Sequence, residues 1–289
     1  MQQKILRCRG HRFDLSKKTY VMGVLNVTPD SFSDGGRFLK PDAAYRQAIR
    51  MEKEGADIID IGGESTRPGS ASVSVEEELR RLVPVLARLK GRLKIPISID
   101  TKKAEVAEAA LKLGASIVND VSGLHGDERI ASLCARYKAG LVIMHMKGSP
   151  KTMQRRPVYK DLLADVASYI NKGTRIALKA GVKKESIIID PGIGFGKTLN
   201  HNLRIIKELG FFKRSGFAVL IGLSRKSFIG KLFGLEVGER LIPTVCAEVI
   251  AINNGADIIR AHDVKEAVMA AKMVDAIKRE KLRKEKISC

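Results

Sequence analysis

A rhythm narrows the possible folds of this chain more than any single residue does. Short apolar runs break off at a polar side chain, and each is followed by a stretch with helical spacing. The run Ile187-Ile188-Ile189-Asp190 is the plainest example. Three consecutive β-branched residues suit a strand covered on both faces, as in a parallel sheet. Asp190 ends the run, and Pro191-Gly192-Ile193-Gly194-Phe195-Gly196-Lys197-Thr198 turns the chain. Glycines there let the backbone take positive φ and approach a ligand closely. An Asp-Pro-Gly turn closes many ordinary strands, so it is the recurrence of the pattern that carries weight.

Buried strands are predicted over 21–27, 57–63, 95–100, 116–120, 141–145, 187–190, 218–224 and 257–263. Amphipathic spacing predicts helices over 42–54, 75–90, 104–113, 128–137, 162–180, 202–209, within 225–254 and over 264–278. A local repeat supports this register: Gly55-Ala56-Asp57-Ile58-Ile59, Gly114-Ala115-Ser116-Ile117-Val118 and Gly255-Ala256-Asp257-Ile258-Ile259. In each copy a glycine ends a helix and a buried strand begins. Eight βα units in 289 residues fit an α/β (β/α)8 TIM barrel as a single domain over 1–289. A short N-terminal strand and turn, about 1–20, precedes it, and a basic tail, about 279–289, follows it. A doubly wound nucleotide-binding sheet should carry G-x-G-x-x-G after its first strand. Here that strand ends in Asn26-Val27-Thr28-Pro29.

In such a barrel the C-terminal strand ends share one face, and the active site lies there. Read in order, the ends are Asn26, Glu64, Asp100, Asn119, His145, Asp190, Ser224, and Arg260 with His262. Asp100, Asn119 and Asp190 offer acceptors and one amide, a set that can read the donor-rich edge of a flat heterocycle or bind a hard cation. No HxxxH or HxH pair points to a transition-metal site. In Gly222-Leu223-Ser224-Arg225-Lys226-Ser227, a strand end leads into two cations, a hydroxyl and a helix start. Free N–H groups beside a cation there make an anion site. It is not a GxxxxGK[ST] loop, so nucleotide triphosphate hydrolysis is not implied.

The net charge is +20, which raises nucleic acid, anionic membranes and anionic substrates as partners. Much of the charge is interleaved with acids, and the remainder of note is in the tail. With aromatics at 5%, no ladder of stacking side chains accompanies it, so neither nucleic acid nor membrane is expected as a partner. Cys8, Cys134, Cys246 and Cys289 form no CxxC pair, which fits free thiols in a reducing compartment. With no apolar stretch of the ~20 residues a membrane span needs, a cytoplasmic protein is expected.

Seven stretches, taken together, resemble the dihydropteroate synthases, pterin-binding enzymes of folate biosynthesis. They are the run from Gly23 to Gly36, Gly62-Gly63-Glu64-Ser65-Thr66-Arg67-Pro68-Gly69, Ser98-Ile99-Asp100-Thr101, Val118-Asn119-Asp120, the run from Asp190 to Phe195, Ser224-Arg225-Lys226-Ser227, and Arg260-Ala261-His262-Asp263. The resemblance implies a barrel enzyme, a transferase that joins 4-aminobenzoate to (7,8-dihydropterin-6-yl)methyl diphosphate with Mg2+ and acts as a homodimer. By position, Asp100, Asn119, Asp190 and Lys226 match pterin-binding residues. Asn26, Arg67, Arg260 and His262 match the diphosphate site, with Asn26 the Mg2+ ligand. Thr66 and Arg67 match a mobile second loop, and Phe32, Ser33 and Asp34 a mobile first loop. Phe195, Lys226 and Ser227 match the aminobenzoate pocket. Asp34, Thr66, Arg67, Lys226 and Arg260 are the implied catalytic set. One departure is Pro243, which stands just before Thr244 where the family usually carries glycine. A pterin-binding methyltransferase would share Asp100, Asn119 and Asp190 but would not need the Asn26 loop or Ser224-Arg225-Lys226-Ser227.

Overall fold

A computed structural model describes residues 4–28, 41–65, 70, 72–148, 153 and 157–279. Eight parallel strands close into a barrel: β3 (Tyr20–Asn26), β4 (Ile58–Gly62), β5 (Ile97–Asp100), β6 (Ile117–Asp120), β7 (Gly140–Met144), β8 (Ile187–Asp190), β9 (Ala218–Gly222) and β10 (Ile258–Ala261). Each pairs with the next in sequence, and β10 returns to β3. The connecting helices are α1 (Pro41–Lys53), α2 (Val75–Leu89), α3 (Ala104–Lys112), α4 (Arg129–Tyr137), α5 (Leu162–Lys179), α6 (Leu199–Lys207), α7 (Gly210–Lys213), α8 (Ser227–Phe233), α9 (Leu241–Asn253) and α10 (Val264–Arg279). The expected (β/α)8 architecture is what the strands form. α6 starts three residues earlier than its apolar spacing predicts, because the Thr198 hydroxyl accepts the His201 N–H and caps it. Pro243 lies in the first turn of α9, where its missing N–H leaves no helical bond unmade.

Two apolar layers follow from the period-two geometry of the strands. Ile187 and Ile189 of β8 face outward onto the helices, as do Ile59, Ile99 and Val219 of other strands. Ile188, Ile58, Ile117, Val142 and Leu220 face inward and form a separate cluster. Burying each such isoleucine stabilises the fold by about 1.5–3 kcal/mol. The inner cluster is closed from below by residues expected to form only a strand and turn. They make a two-stranded hairpin, β1 (Ile5–Cys8) and β2 (His11–Asp14), which places Leu6, Cys8 and Phe13 in the cluster. Its two-residue turn has positive φ at both Arg9 (39°) and Gly10 (85°), the backbone that matches strand twist. Arg9 locks it to the base of the barrel through the carbonyls of Leu111 and Ala115.

The Gly-Ala-Asp repeat has a structural cause. Gly55, Gly114 and Gly255 all sit at positive φ after a helix, and the next N–H reaches back to that helix: Ala56 to Met51, Ala115 to Ala110, and Ala256 to Ala251. In the first and third copies the aspartate then accepts an N–H from a neighbouring strand, Val21 at 3.0 Å for Asp57 and Val219 at 2.8 Å for Asp257. These acids pin strand register at the N-terminal end of the barrel, away from the opposite mouth. No helix among the described residues is long and apolar enough to cross a membrane.

Candidate active site

Parity decides which polar strand ends enter the barrel. Asp190 lies two residues after inward Ile188, and Asn119 two after inward Ile117. The same count places Asp60 inward from Ile58, and Arg260 inward from Ile258. Register then sets four positions in one row across four strands, with Asn26 paired to Gly62, Gly62 to Asp100 and Asp100 to Asn119. Gly62 leaves this row open. A Cβ there would stand 3.7 Å from Asn26 Oδ1 and 3.5 Å from Asp100 Cβ.

A hydrogen-bonded chain ties the row to the far side of the barrel. Asn119 Nδ2 donates to Asp60 Oδ2 at 2.9 Å. Arg260 Nε donates to the same oxygen at 2.7 Å, and its Nη2 donates to Asp100 Oδ2 at 2.7 Å. Asp60, Asp100 and Asn119 are all buried. Burial pushes the Asp100 carboxyl above the usual range, against the pull of Arg260. Asp60 Oδ1 has no hydrogen-bond partner among the described residues, nor has Ser98 Oγ, which pairs with Asp60 in register across β4 and β5.

Asp190 and Lys226 form the second half of the mouth. Gly192 N–H donates to Asp190 Oδ1 at 2.7 Å. Only glycine fits at 192: φ is +71°, and a Cβ would fall 2.0 Å from the His145 carbonyl oxygen. Burial raises the Asp190 carboxyl, and Lys226 is the largest influence opposing it. Lys226 Nζ donates to the Ile193 carbonyl and stands 4.9 Å from the Phe195 ring centroid. Burial lowers the Lys226 ammonium to about 8, with Asp190 pulling it back up. Gly222 leaves room for both cations, since a Cβ there would lie 3.6 Å from Arg260 Cβ and 3.8 Å from Lys226 Nζ. Asp100, Asn119, Asp190, Lys226 and Arg260 therefore converge on one opening, with Asn26 and Phe195 beside it.

Other singled-out residues stand elsewhere. The two cations expected to serve one anion site divide their labour. Arg225, at φ +55°, makes a two-pronged bond to Asp263, with Nε and Nη2 each at 2.8 Å. It holds the loop, while Lys226 alone faces the opening. Ser227 is exposed at the start of α8, and exposed His262 contacts Ser224 Oγ through Nδ1 at 3.1 Å. Glu64 is drawn aside by Lys102 at 2.9 Å and Lys103 at 2.5 Å. His145 is buried against Lys197 Nζ at 2.8 Å, and burial with that neighbour lowers its imidazole to about 2, so it is neutral. Phe32, Ser33, Asp34, Thr66 and Arg67 lie outside the described residues.

Sequence reasoning missed Asp60 and Lys197. Asp60 sits in the middle of an apolar strand, not at its end, and only the count from Ile58 shows that it faces inward. Lys197 reads as part of a glycine turn, yet it is buried and donates to the Phe195 carbonyl at 3.2 Å.

The arrangement has counterparts among known proteins. The family profile described as pterin binding enzyme matches residues 22–262. The dihydropteroate synthase of Synechocystis is 47% identical over 266 residues, covering 92% of this chain and 92% of that protein. The structure of the Clostridium difficile dihydropteroate synthase in the presence of pteroic acid superposes with a TM-score of 0.87 at 49% identity, covering 93% of this chain and all of that one. The Xanthomonas albilineans dihydropteroate synthase with 4-aminobenzoic acid gives a TM-score of 0.89 at 40% identity, covering 97% of this chain and 100% of that one. With the barrel, the inward polar row and the match running through both, this chain belongs to the dihydropteroate synthase family of pterin-binding enzymes.

Proposed function

We propose that the chain joins 4-aminobenzoate to the methylene carbon of (7,8-dihydropterin-6-yl)methyl diphosphate, giving 7,8-dihydropteroate and diphosphate. The observation that carries this reading is the convergence of Asp100, Asn119, Asp190 and Lys226 on one mouth. A buried carboxylate such as Asp190 accepts two donors from a 2-amino-pyrimidinone edge, a geometry that few other rings match. Phe195 and Lys226 flank the position for 4-aminobenzoate, and exposed Ser227 offers a hydroxyl to its carboxylate.

The reaction breaks a carbon–oxygen bond to diphosphate, forms a carbon–nitrogen bond and releases a proton from the amine. Negative charge grows on the departing diphosphate, so Arg260, His262 and Arg67 act most strongly late in that departure. The dihydropterin ring delocalises the positive charge left on the methylene, which favours departure ahead of amine attack. No nucleophilic side chain is required. For the metal, the donor set suits a hard ion shared with substrate. Asn26 Oδ1 faces the Gly62 gap, and the described residues include no cluster of three or more acidic, histidine or cysteine ligands. Mg2+ is commonly held by one or two protein oxygens together with phosphate oxygens. Asn26 would be its protein ligand, and the ion would neutralise diphosphate charge.

The direct test follows diphosphate release from the pterin diphosphate and 4-aminobenzoate with Mg2+. Release without 4-aminobenzoate supports early departure, and strict dependence on the amine argues for concerted displacement. The lowered Lys226 adds a pH signature. Below about 8 the ammonium persists and binds the ring, and above that value it is lost. The value of kcat/KM for the pterin should therefore fall on an alkaline limb near pH 8. Lys226→Arg, which stays charged, should lack that limb whatever its absolute rate.

The chain works as a homodimer in this reading. Eight of the twelve exposed large hydrophobic residues among those described fall between Leu232 and Ile277, on α8, α9, α10 and the turn between α8 and α9. Phe233 and Ile242 are 58% and 75% exposed. A monomer gains nothing from such a face, and a second copy would cover it. Phe233→Glu with Ile242→Glu should shift sedimentation from dimer to monomer, and an unchanged mass would remove this face from the interface. The buried Cys8 and Cys134 and the exposed Cys246 are free thiols, in keeping with a reducing cytoplasm.

A further inference from the structure

Asp60 lies one layer below the strand ends, wholly buried inside the barrel, and the reaction above gives it no substrate to touch. We propose that Asp60 is a positioning residue that fixes which end of the Asn119 carboxamide meets the pterin ring, and so which ring edge the pocket accepts. The proposal rests on the pterin reading of the pocket.

A carboxamide has a donor end and an acceptor end of nearly the same shape, so packing alone does not orient it. Hydrogen bonding does. Asp60 Oδ2 accepts from Arg260 Nε at 2.7 Å and from Asn119 Nδ2 at 2.9 Å. A carboxylate engaged by a guanidinium presents only acceptors. Asn119 must therefore turn its NH2 toward Asp60, and a flipped amide would set oxygen against oxygen. One Nδ2 hydrogen is committed to Asp60, and Oδ1 is thereby held on the opposite side of the carboxamide, available to a donor on the ring. The same carboxylate anchors Arg260, whose other arm holds Asp100. One residue on β4 thus orders recognition groups on β6, β10 and β5.

The test compares four proteins: the parent, Asp60→Leu, Asp60→Asn and Ser98→Ala. Pteroic acid affinity, the aminobenzoate KM, the thermal midpoint and the Asn119 side-chain amide signals of the ligand-free protein are measured. Asp60→Leu, which removes the acceptor at similar volume, is expected to displace the Asn119 amide signals and weaken pteroic acid binding roughly 10- to 100-fold, the size of a lost charge-assisted hydrogen bond. The aminobenzoate KM should stay within about twofold, because that substrate does not meet Asn119. Asp60→Asn keeps an oxygen at the position of Oδ2, where Arg260 Nε selects it, and so still accepts from Asn119 Nδ2. It should leave the Asn119 signals in place and hold the affinity within about fivefold of the parent, a rescue by the conservative variant that a packing role would not produce. Ser98→Ala removes the other unpartnered group of the same layer without touching Asn119, and should bind like the parent.

Affinity within about twofold of the parent in Asp60→Leu would overturn the proposal, as would an equal loss in Ser98→Ala or in Asp60→Asn. Should Asp60→Leu not fold, Asp60→Asn decides alone: Asn119 signals and affinity both held near the parent's support the proposal, and affinity lost with those signals in place overturns it. If the parent itself ignores pteroic acid, the pterin reading fails. The Asn119 amide signals in Asp60→Leu then still decide whether Asp60 sets the orientation.

Discussion

Asp190→Asn is expected to bind the pterin roughly 10²- to 10³-fold more weakly than the parent, from two charge-assisted hydrogen bonds at about 1.5–3 kcal/mol each with partial compensation. The geometry makes the loss larger than removal of one charge suggests. Gly192 N–H donates to Asp190 Oδ1 at 2.7 Å, and that bond selects the amide oxygen in the variant. The NH2 then occupies the remaining position and faces the N–H donors of the ring. The ligand-free protein should unfold close to the parent's midpoint. Burial raises the Asp190 carboxyl, so its ionised form opposes folding at neutral pH, and an amide of the same shape relieves that opposition. Lys226 meanwhile loses the attraction that holds its ammonium up, and its alkaline limb should move to lower pH. Titration calorimetry with pteroic acid and a thermal melt check both halves. Unchanged affinity would take Asp190 out of the site.

Arg260→Ala should lose both turnover and stability. The guanidinium bonds Asp60 and Asp100 at 2.7 Å each, inside the barrel. Its removal strands two buried carboxylates, and breaking a buried pair in this way costs about 3–5 kcal/mol. Lysine keeps the charge but cannot reach both acids in one plane, so Arg260→Lys should fall between parent and Arg260→Ala. The pH dependence has a definite sign. Without Arg260 the Asp100 carboxyl rises further above its unfolded value. The folded variant then binds a proton that the unfolded chain does not, so its stability deficit is full above the raised pKa and shrinks on acidification toward the unfolded value near 4. Denaturant titrations at pH 8 and pH 5.5 measure that difference. For turnover, the proposed donation from Arg260 to the departing diphosphate predicts a fall in kcat of roughly 10²- to 10³-fold in Arg260→Ala. A variant as stable as the parent would mean that the bridge contributes nothing. One as fast would free Arg260 from the chemistry.

Arg225 is a useful contrast to Arg260. Both arginines stand in motifs that the sequence marks as cationic, but one ties a loop to Asp263 and the other crosses the barrel. Motif membership does not separate them. Side-chain direction does, and in a strand it depends on a parity count that needs an inward reference such as Ile188 or Ile258. Glu64 and His145 illustrate the same limit. Each ends a predicted strand, yet Glu64 is held by Lys102 and Lys103, and His145 by Lys197.

From the order of residues alone came the eight βα units, the barrel and the set of polar strand ends from which the candidate site is drawn. These are local or periodic properties: apolar runs, helix-ending glycines and strand ends repeat at spacings visible in one dimension. Only the closed barrel decided that Asp60 is a hub, that Asn26, Gly62, Asp100 and Asn119 stand in one row, and that the N-terminal hairpin seals the opposite end. Those facts depend on strand register and closure, which join residues as far apart as Asp60 and Arg260. Long-range hydrogen bonds and charge pairs leave no periodic trace along the chain, so they become readable only when the barrel brings their partners together.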